Sequence, residues 1–212
     1  MSKTTVASTG IDLSDTFAFT GTVSGLSKNY LATSGNLGDV SGGSANVTFN
    51  STVLTSTYAI YVFEFLNLRP ATNDQAFFIR VSKDNLSNDG NIDQRSIANR
   101  TTVNDSGSHD STDNQNEVVA ASGTQISNGV GNADGESFSG RLTLYNFNSQ
   151  NSNPKLMWDT VHDRSDDYFI RNFGGTSYLD RSTINAVKFN FNSGNISNGI
   201  INVICVPPVA SV

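Results

Sequence analysis

The chain has 212 residues, a formal charge of −6 and 15% charged residues, against about 25% in ordinary soluble domains. Ser, Thr, Asn and Gly together fill 92 positions, a composition that favours turns, caps and strands over helix interiors. Excess acid with scattered Lys and Arg excludes nucleic acid as the main partner. No apolar run approaches the roughly 20 residues of a membrane span.

Disorder is also excluded, because 13 Phe, 6 Tyr and a Trp are too many large apolar groups to leave in water. A single cysteine rules out an intrachain disulfide framework and a cysteine-based zinc cage. Cys205 sits in the apolar run Ile204-Cys205-Val206 and reads as a small buried hydrophobe. The opening Met1–Ser8 lacks the apolar core of a secretory signal, so the expectation is synthesis in a cytoplasm.

Along the chain the dominant period is two residues, the signature of strands. The first expected strand is Thr16–Thr22, where apolar and polar groups partly alternate. Residues 1–50 hold short apolar islands among Gly, Ser and Thr, and Val40–Ser44 reads as a flexible joint, placing a boundary near Ser51. Tyr58–Phe65 is apolar at nearly every position, as expected of a central strand covered on both faces, and Arg69-Pro70 ends it. Gln75–Val81 returns with Phe77, Ile79 and Val81 on one face. The polar stretch 103–116 predicts a long exposed loop. Further strands are expected at Glu117–Ala121, Phe138–Phe147, Lys155–Val161, Tyr168–Phe173, Thr183–Phe191 and Ile200–Val206.

Asp89-Gly90, Asn128-Gly129, Asp134-Gly135 and Asn198-Gly199 each predict a tight turn, the last most clearly because an apolar strand follows. No window shows sustained helical spacing. These features predict an all-β protein, a β-sandwich or jelly-roll-like domain with an extended N-terminal segment. Residues 1–50 would serve attachment or oligomerisation, and 51–212 would form the sandwich.

Several segments resemble a β-rich domain of marine and cyanophage virion proteins. Leu66–Asp74 resembles its N-x-x-P-A-T-D turn, and Phe78–Asn85 its L-R-x-S-x-D strand and loop. Ser139–Asn146 is similar to its S-G-x-I-x-L-Y-N-P strand. Ile184–Phe189 and Ser193–Gly199 resemble its closing I-N-A-I-R-F-x-x-S-S-G-N-I-x-S-G signature. Thr4–Ser14 and Phe17–Gly21 resemble a leader segment of such proteins. The chain departs from the pattern at its end, where Ile204–Pro208 stands in place of L-Y-G-I.

The resemblance implies a non-enzymatic virion structural protein, foremost a tail fibre or appendage component, with a head decoration protein or a glycan-binding adhesin tip as the alternatives. It implies a homo-oligomer, a trimer in the fibre case, assembling with other virion proteins. It brings no catalytic residue and no cofactor.

The residues themselves offer little chemistry. His109 lies in the polar run Gly107–Asp110, and the chain has no Gly-x-Ser-x-Gly elbow to pair with it. Asp84–Asp93 is superficially like a calcium loop but has Ser96 where an EF-hand starting at Asn85 needs Glu. The densest cluster is Met157–Tyr168. Its Trp158, Asp159, His162, Asp163, Asp166, Asp167 and Tyr168 read in two ways. One is a glycan or cation site, with an aromatic platform for a pyranose and carboxylates for hydroxyl groups. The other is a core Trp followed by a solvated acidic turn. A polysaccharide hydrolase would need two carboxylates opposed across a cleft, which adjacent Asp166 and Asp167 do not make by themselves.

Overall fold

Alternation along the strands decides the layers. In Ile60–Pro70, the side chains of Tyr61, Phe63 and Phe65 are fully buried, while those of Ile60, Val62 and Glu64 on the other face are half-buried. The segment is therefore covered fully on one side only. The computed structural model describes residues 29–206, apart from 40, 88–91, 118–122 and 149–150. The expected strand at Thr16–Thr22, most of the N-terminal segment and the Asp89-Gly90 turn lie outside these residues.

The described residues form twelve strands and a single 3-10 turn at Leu37–Asp39, with no α-helix among them. In order they are β1 (Asn29–Thr33), β2 (Val47–Phe49), β3 (Ile60–Pro70), β4 (Gln75–Ser82), β5 (Gln94–Asn104) and β6 (His109–Glu117). The remainder are β7 (Thr124–Val130), β8 (Phe138–Tyr145), β9 (Lys155–Asp163), β10 (Tyr168–Tyr178), β11 (Ala186–Phe191) and β12 (Ile196–Val206). All pairings are antiparallel. They build an eight-stranded sheet, β1-β12-β3-β8-β9-β10-β5-β6, packed against a four-stranded sheet, β2-β11-β4-β7.

The topology is that of a jelly roll with additions. From β2 to β8 the chain crosses between the sheets at every step except the β5–β6 hairpin, the two-Greek-key order, leaving β2-β11-β4-β7 opposite β3, β8, β5 and β6. The hairpin β9–β10 is inserted between β8 and β5. An inserted hairpin adds two strands, so the up-and-down alternation on either side is preserved. β12 and β1 extend the sheet beyond β3.

Between the sheets lies an aromatic nucleus. The Phe189 ring is 5.2 Å from both Phe63 and Phe65, and stacks over Phe77 at 6.1 Å. Phe138 joins it, 4.9 Å from Phe77. Cys205 is buried in the same core, as its apolar surroundings predict.

Two expectations about this region change. The sandwich begins before Ser51, because β1 pairs with β12 and β2 with β11. Residues 50–59 pack onto it: Leu54 is buried, and the Tyr61 hydroxyl accepts the Thr55 N–H at 2.7 Å. The Val40–Ser44 joint is tied down at its C-terminal end by a Ser44–Ile196 bridge.

The expected loop 103–116 is largely hairpin. β5 runs on to Asn104, and β6 pairs back on it as the sheet edge. Ladder bonds use backbone, so polar side chains do not prevent pairing, and a polar edge strand resists unwanted sheet extension. The turn is closed by Asn104, whose Oδ1 accepts the Ser108 N–H at 2.9 Å.

Asn198-Gly199 is a bulge inside β12 rather than a turn, with register shifts on either side. Gly199 has φ +104 and faces Leu66 and Asn67, whose carbonyl oxygens would lie 2.7 Å from any Cβ. Asn67 itself has φ 51, so two adjoining strands are irregular at one level. Gly199→Ala should cost about 1–3 kcal/mol, since it adds a backbone clash to an unfavourable φ. Gly35→Ala, at φ +70 with open space around it, should cost less in the same urea titration. Equal losses would show that φ alone matters.

Candidate functional site

The Met157–Tyr168 segment is divided by strand alternation. On β9, Trp158, Thr160 and His162 point between the sheets, whereas Met157, Asp159, Val161 and Asp163 lie on the outer face. Arg164–Asp167 makes the turn into β10. The Asp167 N–H donates to the Arg164 carbonyl at 3.1 Å, and Asp167 takes the left-handed conformation at φ 66. The seven residues singled out in the sequence therefore occupy three environments and do not share one surface.

Inside, Trp158 is only 4% exposed, so its ring offers no face to a pyranose. It is seated over Gly174 of β10, where a Cβ would lie 2.4 Å from the indole. His162 donates from Nε2–H to the Asn128 carbonyl at 2.8 Å, which leaves Nδ1 to accept from the Asn172 amide at 3.4 Å. Burial holds its pKa down to about 4, only partly offset by that carbonyl, and the nearby Arg164 and Arg100 cations lower it further. This histidine is neutral near pH 7.

On the outer face, Asp159 receives a two-point ion pair from Arg171 at 2.9 and 2.6 Å. That guanidinium holds the Asp159 carboxyl below its usual range. Asp163 is shifted upward, first by burial and then by Glu136 and Asp105. At the turn, Arg164 binds Asp166 at 2.7 Å and lies 4.6 Å over the Tyr168 ring. Asp166 is lowered by that contact. Asp159 and Asp166 are thus each paired with a guanidinium, and Asp163 is not among the described ion pairs. No group of three or more potential metal ligands occurs among the described residues.

The sequence did not reveal a polar seam beneath β7. As the edge of the smaller sheet, β7 pairs only with β4 and would leave backbone carbonyls without partners. Side chains from the larger sheet supply them. Gln94 donates to the Gly123 carbonyl at 3.1 Å, Thr160 to Ile126 at 3.2 Å and His162 to Asn128. Thr124 in turn donates to Gln94 Oε1 at 2.8 Å, beside the buried Tyr178 hydroxyl. Only the alternation of Asn172, Thr176 and Tyr178 along β10 signalled this seam, and it has meaning only once the inward face is known.

A small cleft lies within the seam, lined in part by Trp158, Asn172, Gln125, Asn128 and Arg100, with about 20 Å³ of interior room. Trp158 Nε1 is buried without a hydrogen-bond partner.

The outer face of the larger sheet is the second notable surface. Met157 is 58% exposed and Ile97 57%, on either side of Gly175 in one row of the sheet, with Phe173 adjacent at 37%. Leu66 and Phe169 are exposed on the same face. Across the strands run Glu64, Arg141, Asp159 and Arg171, alternating in sign, with Arg141 bonded to Glu64 at 2.7 Å.

No protein-family model, curated protein or solved structure matches the chain.

Proposed function

We propose that the chain is a non-enzymatic structural subunit of a bacteriophage virion, a tail fibre or appendage component that assembles with copies of itself and with other virion proteins. The motif resemblance across residues 57–206 supports this reading. So does the jelly-roll topology, by fold-level analogy with capsid and lectin domains.

The observation that carries it is the outer face of the eight-stranded sheet. Large apolar side chains stand there in a contiguous group around Gly175, an arrangement that marks an interaction surface. The face is self-complementary in part. A two-fold axis parallel to the strands, between Arg141 and Asp159, sets Arg141 opposite the second copy's Asp159, and Glu64 opposite its Phe173. The same operation sets Val62 over the Gly175 gap and Ile204 over Ile97. Arg141 and Asp159 then meet opposite charges, and Ile204 meets an apolar group.

Analytical sedimentation tests this surface. The chain should associate as its concentration rises, and Met157→Asp with Phe173→Asp should leave a monomer of unchanged melting temperature. Antibody against the chain should also label intact phage particles. A monomer at every concentration, with unlabelled particles, would overturn the proposal.

A further inference from the structure

A groove of about 440 Å³ lies between β1 and β2 at one margin of the sandwich. Its apolar lining is Ala32, Leu37, Val47, Phe49 and Val53, of which Ala32 and Val53 form the half-buried rim. Each strand here is the last of its sheet. Among the described residues β1 pairs only with β12, and β2 only with β11. Two unpaired backbone edges therefore flank one apolar groove, a combination that invites a further strand.

The chain itself brings a matching segment to this margin. It enters the larger sheet at Asn29, after 28 residues. Within those, Thr16-Phe17-Ala18-Phe19-Thr20 would set both phenylalanines on one face of an extended run and both threonines on the other. Residues 23–28 separate residues 16–22 from β1 and include the turn formers Ser24, Gly25 and Ser27. Six residues is an ordinary length for a connection between elements, and it permits an antiparallel return along β1. Neither residues 16–22 nor the described groove lining contains a charged residue, so docking would strip water from no ion.

We propose that residues 16–22 dock as a further strand on the free edge of β1, seating Phe17 and Phe19 in the groove between β1 and β2. The occupant is the chain's own segment. A tether of six residues gives it an effective concentration on the order of millimolar, which a separate copy in dilute solution does not reach. The docked segment hides an edge that would otherwise template sheet extension. It leaves the outer face of the larger sheet free, so this inference is independent of the assembly proposed there.

Hydrogen exchange on the intact chain tests it directly. Amides of residues 17–21 should exchange at least about tenfold more slowly than in a free peptide of the same sequence, because ladder hydrogen bonds protect them. Phe17→Asp with Phe19→Asp should abolish that protection and lower the melting temperature by about 5 °C or more. Thr20→Asp, on the other face of the strand, should change neither. Photoreactive benzoylphenylalanine in place of Phe19, in an equal mixture of unlabelled and ¹⁵N-labelled chains, should cross-link to residues 46–53 of its own chain. Unprotected amides at 17–21 would overturn the proposal. Cross-links joining labelled to unlabelled chains would overturn it as well and assign the groove to a second copy.

Discussion

Phe189→Ala should lower stability by about 3–5 kcal/mol, the range for deleting a large aromatic side chain from a packed core. Four rings approach Phe189, those of Phe49, Phe63, Phe65 and Phe77, and they belong to both sheets. These neighbours hang from hydrogen-bonded strands and cannot collapse into the gap, so the cavity persists. With total stability of order 5–15 kcal/mol, the loss would consume much of the margin. For a chain of this size it corresponds to a fall in melting temperature of about 10 °C.

Phe173→Ala is the control. The residue is the same, but Phe173 stands on the outer face, 37% exposed, with the Arg171 guanidinium 5.4 Å from its ring. Its removal should change monomer stability by no more than about 0.5 kcal/mol. Urea denaturation of both variants, followed by Trp158 emission, decides the matter. A small loss for Phe189→Ala would mean that the sheets are not held by this nucleus.

Acid should destabilise the fold well above the carboxylate range. His162 has a folded-state pKa of about 4, below its ordinary 6.5. Its neutral form is thus favoured by folding, and the contribution is fully present above pH 6.5. Below that, the unfolded chain binds the proton first, and stability declines until the folded state also titrates near pH 4. The total is about 3 kcal/mol, of which about 2 kcal/mol is lost by pH 5.

The charged groups facing the ring, Arg164 and Arg100, both push the His162 pKa in the same downward direction as burial. The carboxylates held low, Asp159, Asp166 and Asp180, lose their contributions below this window. His162→Asn should be less stable at pH 7 and nearly flat from pH 6.5 to 5. If His162→Asn retained the full decline, another group would be its source.

Much of the architecture was legible because strand grammar is local. Phe77, Ile79 and Val81 alternate with polar or second-face residues, and Val187, Phe189 and Phe191 do the same. Those runs became β4 and β11 with little change of boundary. Apart from the short β1 and β2, the strands that escaped notice were rich in polar residues. β5 and β6 are mainly Asn, Thr, Ser, Asp and Arg, and they are held by backbone ladders to which composition is a poor guide. Asn198-Gly199 shows the complementary error. The dipeptide supplies the positive φ of a turn, but here that φ serves a bulge, and only the pairing with β3 distinguishes the two.

The candidate site was half legible. Period-two alternation through Asp163 separates Trp158 and His162 from Asp159 and Asp163. Whether Trp158 faced solvent or core depended on where the smaller sheet lay.

Sequence by itself determined that the chain is all-β, that its surface would be neutral and polar, and that its Phe, Ile and Val runs would form the core. Composition and short-range periodicity carry this information, since they depend only on neighbours within a strand. Tertiary structure alone decided that β7 is an edge satisfied by side chains from the opposite sheet. It also buried Trp158 between the sheets and gathered Met157, Phe173 and Ile97 around one glycine. Each of these joins residues far apart in the chain, and their meeting depends on strand order and register, which no local pattern encodes.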